Sequence, residues 1–237
     1  MRGGAAQTRI SMPPRLLFTF ALGDEVSRMK HEITRADLLP ISVYEKERKE
    51  RRKRMAETKA KRRIEVGPFA TFYFENYDTM LHQVHEMLAI EKGGDEQVQS
   101  ELDAYNPLIP KGRDLVATLM FEIEDPVRRA KELGRLGGVE LQIYLVAGGA
   151  RVHARQIGDD ERTRADGKTS SVHFLCFEFA PEAVAAFKRP GAEVVIEIAH
   201  PNYAHMARLP EPVRPAAPGP ECTAVPGQPT REYTPFA

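Results

Sequence analysis

The chain has 237 residues, of which 42% are apolar, and its 34 basic and 34 acidic side chains give a net charge of zero. This length and apolar content are those of one folded domain and exclude a disordered chain. No apolar run approaches the roughly 20 residues of a membrane span, and two cysteines, Cys176 and Cys222, are too few for a disulfide framework. We therefore expect a cytoplasmic protein in a reducing compartment.

Composition divides the chain into three parts. Residues 1–28 are predicted to be a disordered N-terminal extension because they carry Gly, Pro and Arg with little apolar periodicity. Residues 29–208 are predicted to form a single α+β domain, which begins near a helix N-cap at Thr34. Residues 209–237 contain eight prolines and predict a flexible tail.

Hydrophobic periodicity predicts the elements of the domain in chain order. They are a polar helix at 42–61, strands at 63–66 and 69–75, helices at 78–91 and 95–105, a strand at 115–123, a helix opened by Pro126, strands at 139–146, 152–157 and 171–179, a short helix at 181–187 and a last strand at 193–199. Short turns between strands and an early concentration of helices favour an α+β fold. Its sheet should be mixed but largely antiparallel, with helices packed mainly from the N-terminal half.

Charge is distributed unevenly along this order. Residues 45–63 hold eleven basic and four acidic side chains, a net +7, whereas residues 75–106 hold eight acids and one lysine, a net −7. The basic helix therefore has an internal acidic partner available. Nucleic-acid binding is the other interpretation, but no aromatic residues lie between the charges to stack on bases, so we disfavour it.

The helix at 78–91 carries one candidate metal site. His82, His85 and Glu86 lie three and four residues apart, which predicts one shared face opposite the apolar stripe. Two imidazoles and a carboxylate can hold a divalent metal. A solvated polar face is the alternative, and no other cofactor is indicated.

A second polar group follows on the next helix. Glu101 and Tyr105 lie four residues apart and Asn106 comes directly after them. A carboxylate, a phenol and an amide can bind a polar ligand or relay a proton. A structural role, in which these groups bond backbone atoms where the helix ends, is the alternative.

Strand ends provide the remaining candidates. His200 and Tyr203 follow the last predicted strand, and Glu75 ends an aromatic strand. His200 is a candidate general base, with a buried structural histidine as the alternative. We expect Glu86, Glu101, Tyr105 and His200 to converge on one polar pocket, because two helices joined by a Gly-Gly turn should both pack on the sheet.

Six strings in order resemble one bacterial family, the domain-of-unknown-function family 3501. They are FENYDT (74–79), QVHEM (83–87), ELDAYNPLIP (101–110), LVATLMFEI (115–123), SSVHF (170–174) and HPNY (200–203). The resemblance covers 29–208 and implies no established activity. It implies a setting beside rubrerythrin-like and iron–sulfur oxidoreductase proteins, and a motif that keeps Gln83 and Glu86 rather than both histidines.

Three functional hypotheses follow. The leading one is an accessory protein that docks onto an iron–sulfur or rubrerythrin-type partner of a redox or oxidative-stress system. The alternative is a small enzyme or a metal- or ligand-binding protein with a Glu/Tyr/His pocket, and the third is nucleic-acid binding through the helix at 45–63. The sequence leaves open whether the protein is an enzyme.

Overall fold

A computed structural model describes residues 30–158, 162–165, 167–210 and 213. The predicted extension at 1–28 lies outside this part of the chain, as does most of the predicted tail. The helices are α1 (Ile41–Ala60), α2 (Tyr77–Glu91), α3 (Gly94–Tyr105), α4 (Pro126–Leu133) and α5 (Pro181–Lys188). The strands are β1 (Arg63–Val66), β2 (Ala70–Phe74), β3 (Asp114–Phe121), β4 (Ile143–Ala147), β5 (Ala150–Gln156), β6 (Val172–Glu178), β7 (Val194–His200) and β8 (Tyr203–Arg208).

The eight strands form one sheet that curls into a nearly closed barrel. Their order is β1-β2-β3-β6-β5-β4-β7-β8, and each neighbouring pair is antiparallel. The two outermost strands, β1 and β8, lie beside each other. The predicted α+β class and largely antiparallel sheet are thus confirmed, and every strand pair is in fact antiparallel.

The barrel interior follows from the period of two along each strand. On β3, Leu115, Ala117, Leu119 and Phe121 face inward and are buried. Helix α5 packs near the β4–β5 hairpin. Residues 133–142 cover the other end of the barrel with Leu133, Leu136 and Val139, and we call this the linker end.

A helical layer covers the outside of β3 and β6. The apolar stripe of α2 and Leu102 of α3 form a second core with the outward-facing pair Val116 and Cys176. Helix α1 packs on α2 rather than on the sheet. The helices of the N-terminal half therefore cover one side of the barrel, as predicted. Within the described part of the chain, no helix combines the length and the apolarity needed to cross a bilayer.

The structure corrects two predicted strands. Val139–Gln142 is a 3-10 helix, because Gly138 at φ 76° turns the chain before β4 begins at Ile143. The predicted last strand is followed by another, β8, and Pro201-Asn202 is the hairpin turn that joins β7 to it. His200 therefore ends a strand inside the sheet and Tyr203 begins the next one.

The packed region continues past Arg208. Leu209 and Val213 are both buried in the barrel core, and the Leu209 amide donates to the Val194 carbonyl at 2.8 Å. These contacts fall within the segment that the sequence assigns to the flexible tail.

Candidate functional site

Helix α1 is polar on nearly every side. It has no internal Gly or Pro, and Arg51 pairs with Glu47 one turn earlier at 2.7 Å, which supports an exposed helix. Tyr44 is the one buried residue among its twenty. A helix with so little apolar surface is held by specific polar contacts, and these lie on its N-terminal half.

Glu86 of α2 anchors α1. Arg48 donates to both carboxylate oxygens, each at 3.0 Å, and the Tyr44 hydroxyl donates to Oε1 at 2.8 Å. Arg52 lies 3.7 Å from Oε2. The Arg48 hydrogen bonds, aided by that of Tyr44, lower the pKa of Glu86 to about 2 against the opposing effect of burial. Glu86 is therefore a charged structural anchor.

The predicted metal site is not supported by the geometry of its histidines. His85 accepts a hydrogen bond at Nε2 from the Leu39 amide (2.9 Å) and donates from Nδ1 to the Leu81 carbonyl (2.8 Å). Both ring nitrogens are thus engaged, and the ring is buried in a stack on Tyr44. Among the described residues, no group of three or more His, Cys, Asp or Glu side chains is placed to hold a metal ion.

His85 also corrects the predicted helix face. It lies on the buried side of α2, since α1 covers it, whereas His82 is half-buried and its Nδ1 lies 3.3 Å from the Tyr44 hydroxyl. Burial lowers the pKa of both histidines. The two rings therefore belong to the α1–α2 contact.

The opposite side of α1 carries exposed cations. Lys46, Lys49 and Lys53 are exposed and follow one another at spacings of three and four residues, so they lie on one face, which we call the basic stripe. No ion pair joins these lysines to any described residue, whereas Arg48, Arg51 and Arg52 are paired. The acidic helices engage α1 through Glu86, and the basic stripe faces solvent.

Gln83, Glu101 and Tyr105 do come together between α2 and α3. The Gln83 side chain lies beside the Tyr105 hydroxyl, and burial raises the pKa of Tyr105. Glu101 is buried and accepts from Gln97 Nε2 at 2.9 Å. Gln97 Nε2 also donates to Glu91 Oε2 at 2.8 Å, and this bond ties α3 to α2.

Glu75 and Asn106 have structural partners. Glu75 is buried and accepts hydrogen bonds of 2.7 Å from the hydroxyls of Thr79 and Thr118. Asn106 accepts from the Ile33 amide at 2.7 Å and donates to the Ile33 carbonyl at 3.0 Å. The bonds of Glu75 join the sheet to α2. The bonds of Asn106 hold the segment before α1 in place.

His200 and Tyr203 lie at the linker end of the barrel. His200 Nε2 is 3.3 Å from the Gly137 carbonyl, and Nδ1 accepts from the Asn202 amide at 3.2 Å. The Tyr203 hydroxyl donates to the Val66 carbonyl at 2.8 Å and accepts from the amides of Phe69 and Ala70. Tyr203 therefore bridges β8 to β1 and β2.

The proposed single pocket is divided between two layers. Glu86, Glu101 and Tyr105 belong to the outer helices, whereas His200 contacts the linker end. In the described part of the chain, no hydrogen bond or ion pair links His200 to any of the three.

The linker end also holds polar residues that the sequence did not single out. Glu140, Thr163, Thr169 and His173 form connected hydrogen bonds there, and Glu140, Thr169 and His173 are buried. His173 belongs to the family string SSVHF, which was a signal for it. Residue spacing could not connect it with Glu140, because the two lie on different elements.

Comparison with known proteins identifies the family of this chain. A family model described as a protein of unknown function (DUF3501) matches residues 32–217. The chain belongs to the DUF3501 family. The match confirms the resemblance found in the sequence, and it extends past Arg208 to include the buried Leu209 and Val213.

A solved structure shares the DUF3501 fold. The crystal structure of a protein of unknown function from Burkholderia pseudomallei K96243 is 39% identical, with a TM-score of 0.71 over 77% of this chain and 95% of that chain. No curated protein matches the chain.

Proposed function

We propose that this protein is an accessory protein that docks through the basic stripe of α1 onto an acidic surface of a redox partner. The observation that carries the proposal is the set of three exposed lysines without ion pairs, on a helix that buries one residue of twenty. A polar helix that contributes so little to the core is well suited to contact another molecule.

The partner class comes from the family resemblance. A setting beside rubrerythrin-like and iron–sulfur oxidoreductase proteins favours a partner of one of these kinds. Complementary charge speeds association and selects partners even where it adds modest affinity.

A protein partner fits the stripe better than a nucleic acid. Tyr44, the aromatic residue of α1, is buried under the helix and stacks on His85, so it is not available to stack on bases. The absence of an independent enzymatic role is part of the proposal, since Glu75, Glu86 and Asn106 are each held by structural contacts.

The test measures binding to a purified rubrerythrin-like and a purified iron–sulfur protein from the same organism. The triple variant Lys46→Gln, Lys49→Gln and Lys53→Gln should bind one of them about 3- to 30-fold more weakly than the wild type, and the loss should shrink at high salt. A matched triple variant, Arg128→Gln, Lys131→Gln and Arg208→Gln, removes three exposed cations elsewhere and should bind like the wild type.

Two results would reject the proposal. One is equal binding by the two triple variants. The other is tight binding of a 20-base-pair duplex whose salt dependence falls in the stripe variant, which would select nucleic acid instead.

A further inference from the structure

The side of α1 next to the basic stripe contains a hollow that is open to solvent. It has a volume of about 550 Å³ and is lined by five side chains of this helix, Glu45, Arg48, Lys49, Arg52 and Lys53. These residues recur at spacings of three and four, so they share one helical face. The hollow shares Lys49 and Lys53 with the basic stripe, and its other side reaches Glu86 of α2 through the two arginines.

The positive charges of the hollow exceed the negative ones. The Arg48 guanidinium is already matched, because it donates to both carboxylate oxygens of Glu86. The remaining lining residues are three cations and one carboxylate, which leaves a net charge of +2. The hollow therefore attracts a negatively charged group.

Arg52 has hydrogen-bonding capacity that the fold does not use. Its Nε lies 3.7 Å from Glu86 Oε2, which is beyond hydrogen-bond distance, and its side chain is 63% exposed. Within the described residues, the Arg52 guanidinium makes no hydrogen bond. A guanidinium presents its N–H donors in a fork that matches the two oxygens of a carboxylate. Arg52 can therefore bind an incoming carboxylate through two parallel hydrogen bonds.

We propose that the hollow binds a carboxylate side chain from an acidic helix of the partner, and that Arg52 is the residue that recognises it. The fork of Arg52 holds the carboxylate, while Lys49 and Lys53 add positive charge on the outer side of the hollow. This inference rests on the proposed function, since it names the group that the partner of the basic stripe presents.

The shape of the hollow selects a helix as the source of the carboxylate. Its lining residues extend over eight positions of α1, about 12 Å along the helix axis. A second helix with acidic residues at spacings of three and four presents a row of single charges over the same length. An arginine fork also matches a phosphate, but a phosphate concentrates its charge at one point. The cations of the hollow are instead spread along α1.

A synthetic alanine-based helix with glutamates at spacings of three and four is the probe. The same peptide with glutamine in place of glutamate is its control. In wild-type protein labelled with ¹⁵N-arginine, titration with the glutamate peptide should shift the Arg52 Nε–H resonance and saturate. The glutamine peptide and inorganic phosphate at the same concentrations should produce no saturable shift. This measurement does not depend on knowing the natural partner.

Substitutions of Arg52 separate recognition by the fork from charge alone. Arg52→Lys keeps the charge and removes the fork, so it should weaken binding of the glutamate peptide about 2- to 5-fold, nearly as much as Arg52→Gln. Arg54 is the matched control, because it is exposed and lies about 200° around α1 from Arg52. Arg54→Lys should bind the peptide as the wild type does, and thermal unfolding confirms that each variant is folded.

Three results would overturn the inference. They are no saturable shift with the glutamate peptide, a saturable shift with phosphate instead, or wild-type peptide affinity in folded Arg52→Lys. The wild-type spectrum decides the first two without any variant.

The proposed function is judged separately, by the binding of the purified redox proteins to the stripe variant. If those proteins need the stripe lysines but bind Arg52→Lys like the wild type, the docking surface stands and Arg52 is not its recognition residue. If the peptide results are as expected but the redox proteins do not depend on the stripe, the carboxylate site stands and the redox partner is rejected.

Discussion

At the scale of single residues, Glu86 links two helices through one carboxylate. Its side chain is 12% exposed and that of Arg48 is 32% exposed, so water only partly screens their bidentate pair. Glu86→Gln should lower the free energy of unfolding at pH 7 by about 1–3 kcal/mol, measured by urea denaturation. Glu57→Gln, at an exposed position of α1, is the matched control and should have little effect.

The same carboxylate predicts a pH dependence. The pKa of Glu86 falls from 4.5 to about 2 on folding, so its contribution is complete above about pH 4.5 and is lost as the pH falls toward 2. The stability difference between wild type and Glu86→Gln should therefore be largest at pH 6–7 and should shrink below pH 4. A difference that stays constant between pH 7 and pH 3 would contradict the assignment.

Cys176 should be unreactive in the folded protein. It lies on the outer face of β6, buried under the helical layer, and burial, with the nearby Asp114, raises its pKa to about 12. In a Cys222→Ser variant, a disulfide reagent at pH 7 should label Cys176 only after denaturant is added. Rapid labelling of the native protein would show that the helical layer opens readily.

At the scale of elements, Tyr203 closes the barrel. One hydroxyl joins β8 to the Val66 carbonyl and to the amides of Phe69 and Ala70. Tyr203→Phe should destabilise the protein by about 2–4 kcal/mol, because buried polar groups lose their partner.

Amide hydrogen exchange can show where Tyr203→Phe destabilises the barrel. The Ala70 amide should exchange faster in Tyr203→Phe than in the wild type. Tyr144→Phe is the control, because within the described residues the Tyr144 hydroxyl makes no hydrogen bond and its ring is held by Arg151. Equal exchange at Ala70 in the two variants would show that another contact closes the barrel.

At the scale of the whole molecule, local patterns predicted most elements but not their arrangement. The alternation in LVATLMFEI and the apolar stripe of α2 are local properties, and both elements lie where they were expected. Residues 203–208 lacked an apolar pattern because β8 is an exposed outer strand except at Tyr203. Its pairing depends on β7, and no local signal encodes that.

In the candidate site too, local sequence patterns predicted residues but not their contacts. The sequence identified Glu86 and the basic helix, but their contact through Tyr44 and Arg48 joins residues 42 and 38 positions apart. His85 was assigned to the wrong face because α1 supplies a second buried side to α2. The periodicity of apolar residues indicates how much of a helix is buried against its main neighbour. It does not indicate where a second helix packs.

The C-terminal boundary of the fold can be tested by truncation. A chain ending at residue 208 loses the buried Leu209 and Val213, whereas a chain ending at 217 keeps both. The first should be less stable than the second by about 2–4 kcal/mol, measured by thermal and urea unfolding. Equal stability would place the boundary at 208, as the sequence suggested.

The bond that closes the barrel also bears on how the chain folds. The Tyr203 hydroxyl and the Val66 carbonyl are 137 residues apart, so the loop they close carries a large entropy cost until most of the chain is in place. Proteins rich in such distant pairings fold slowly. During synthesis, the outer edge of β1 stays uncovered until β8 has left the ribosome, and uncovered strand edges are sites of aggregation. If closure is the last step, Tyr203→Phe will accelerate unfolding while leaving the folding rate almost unchanged.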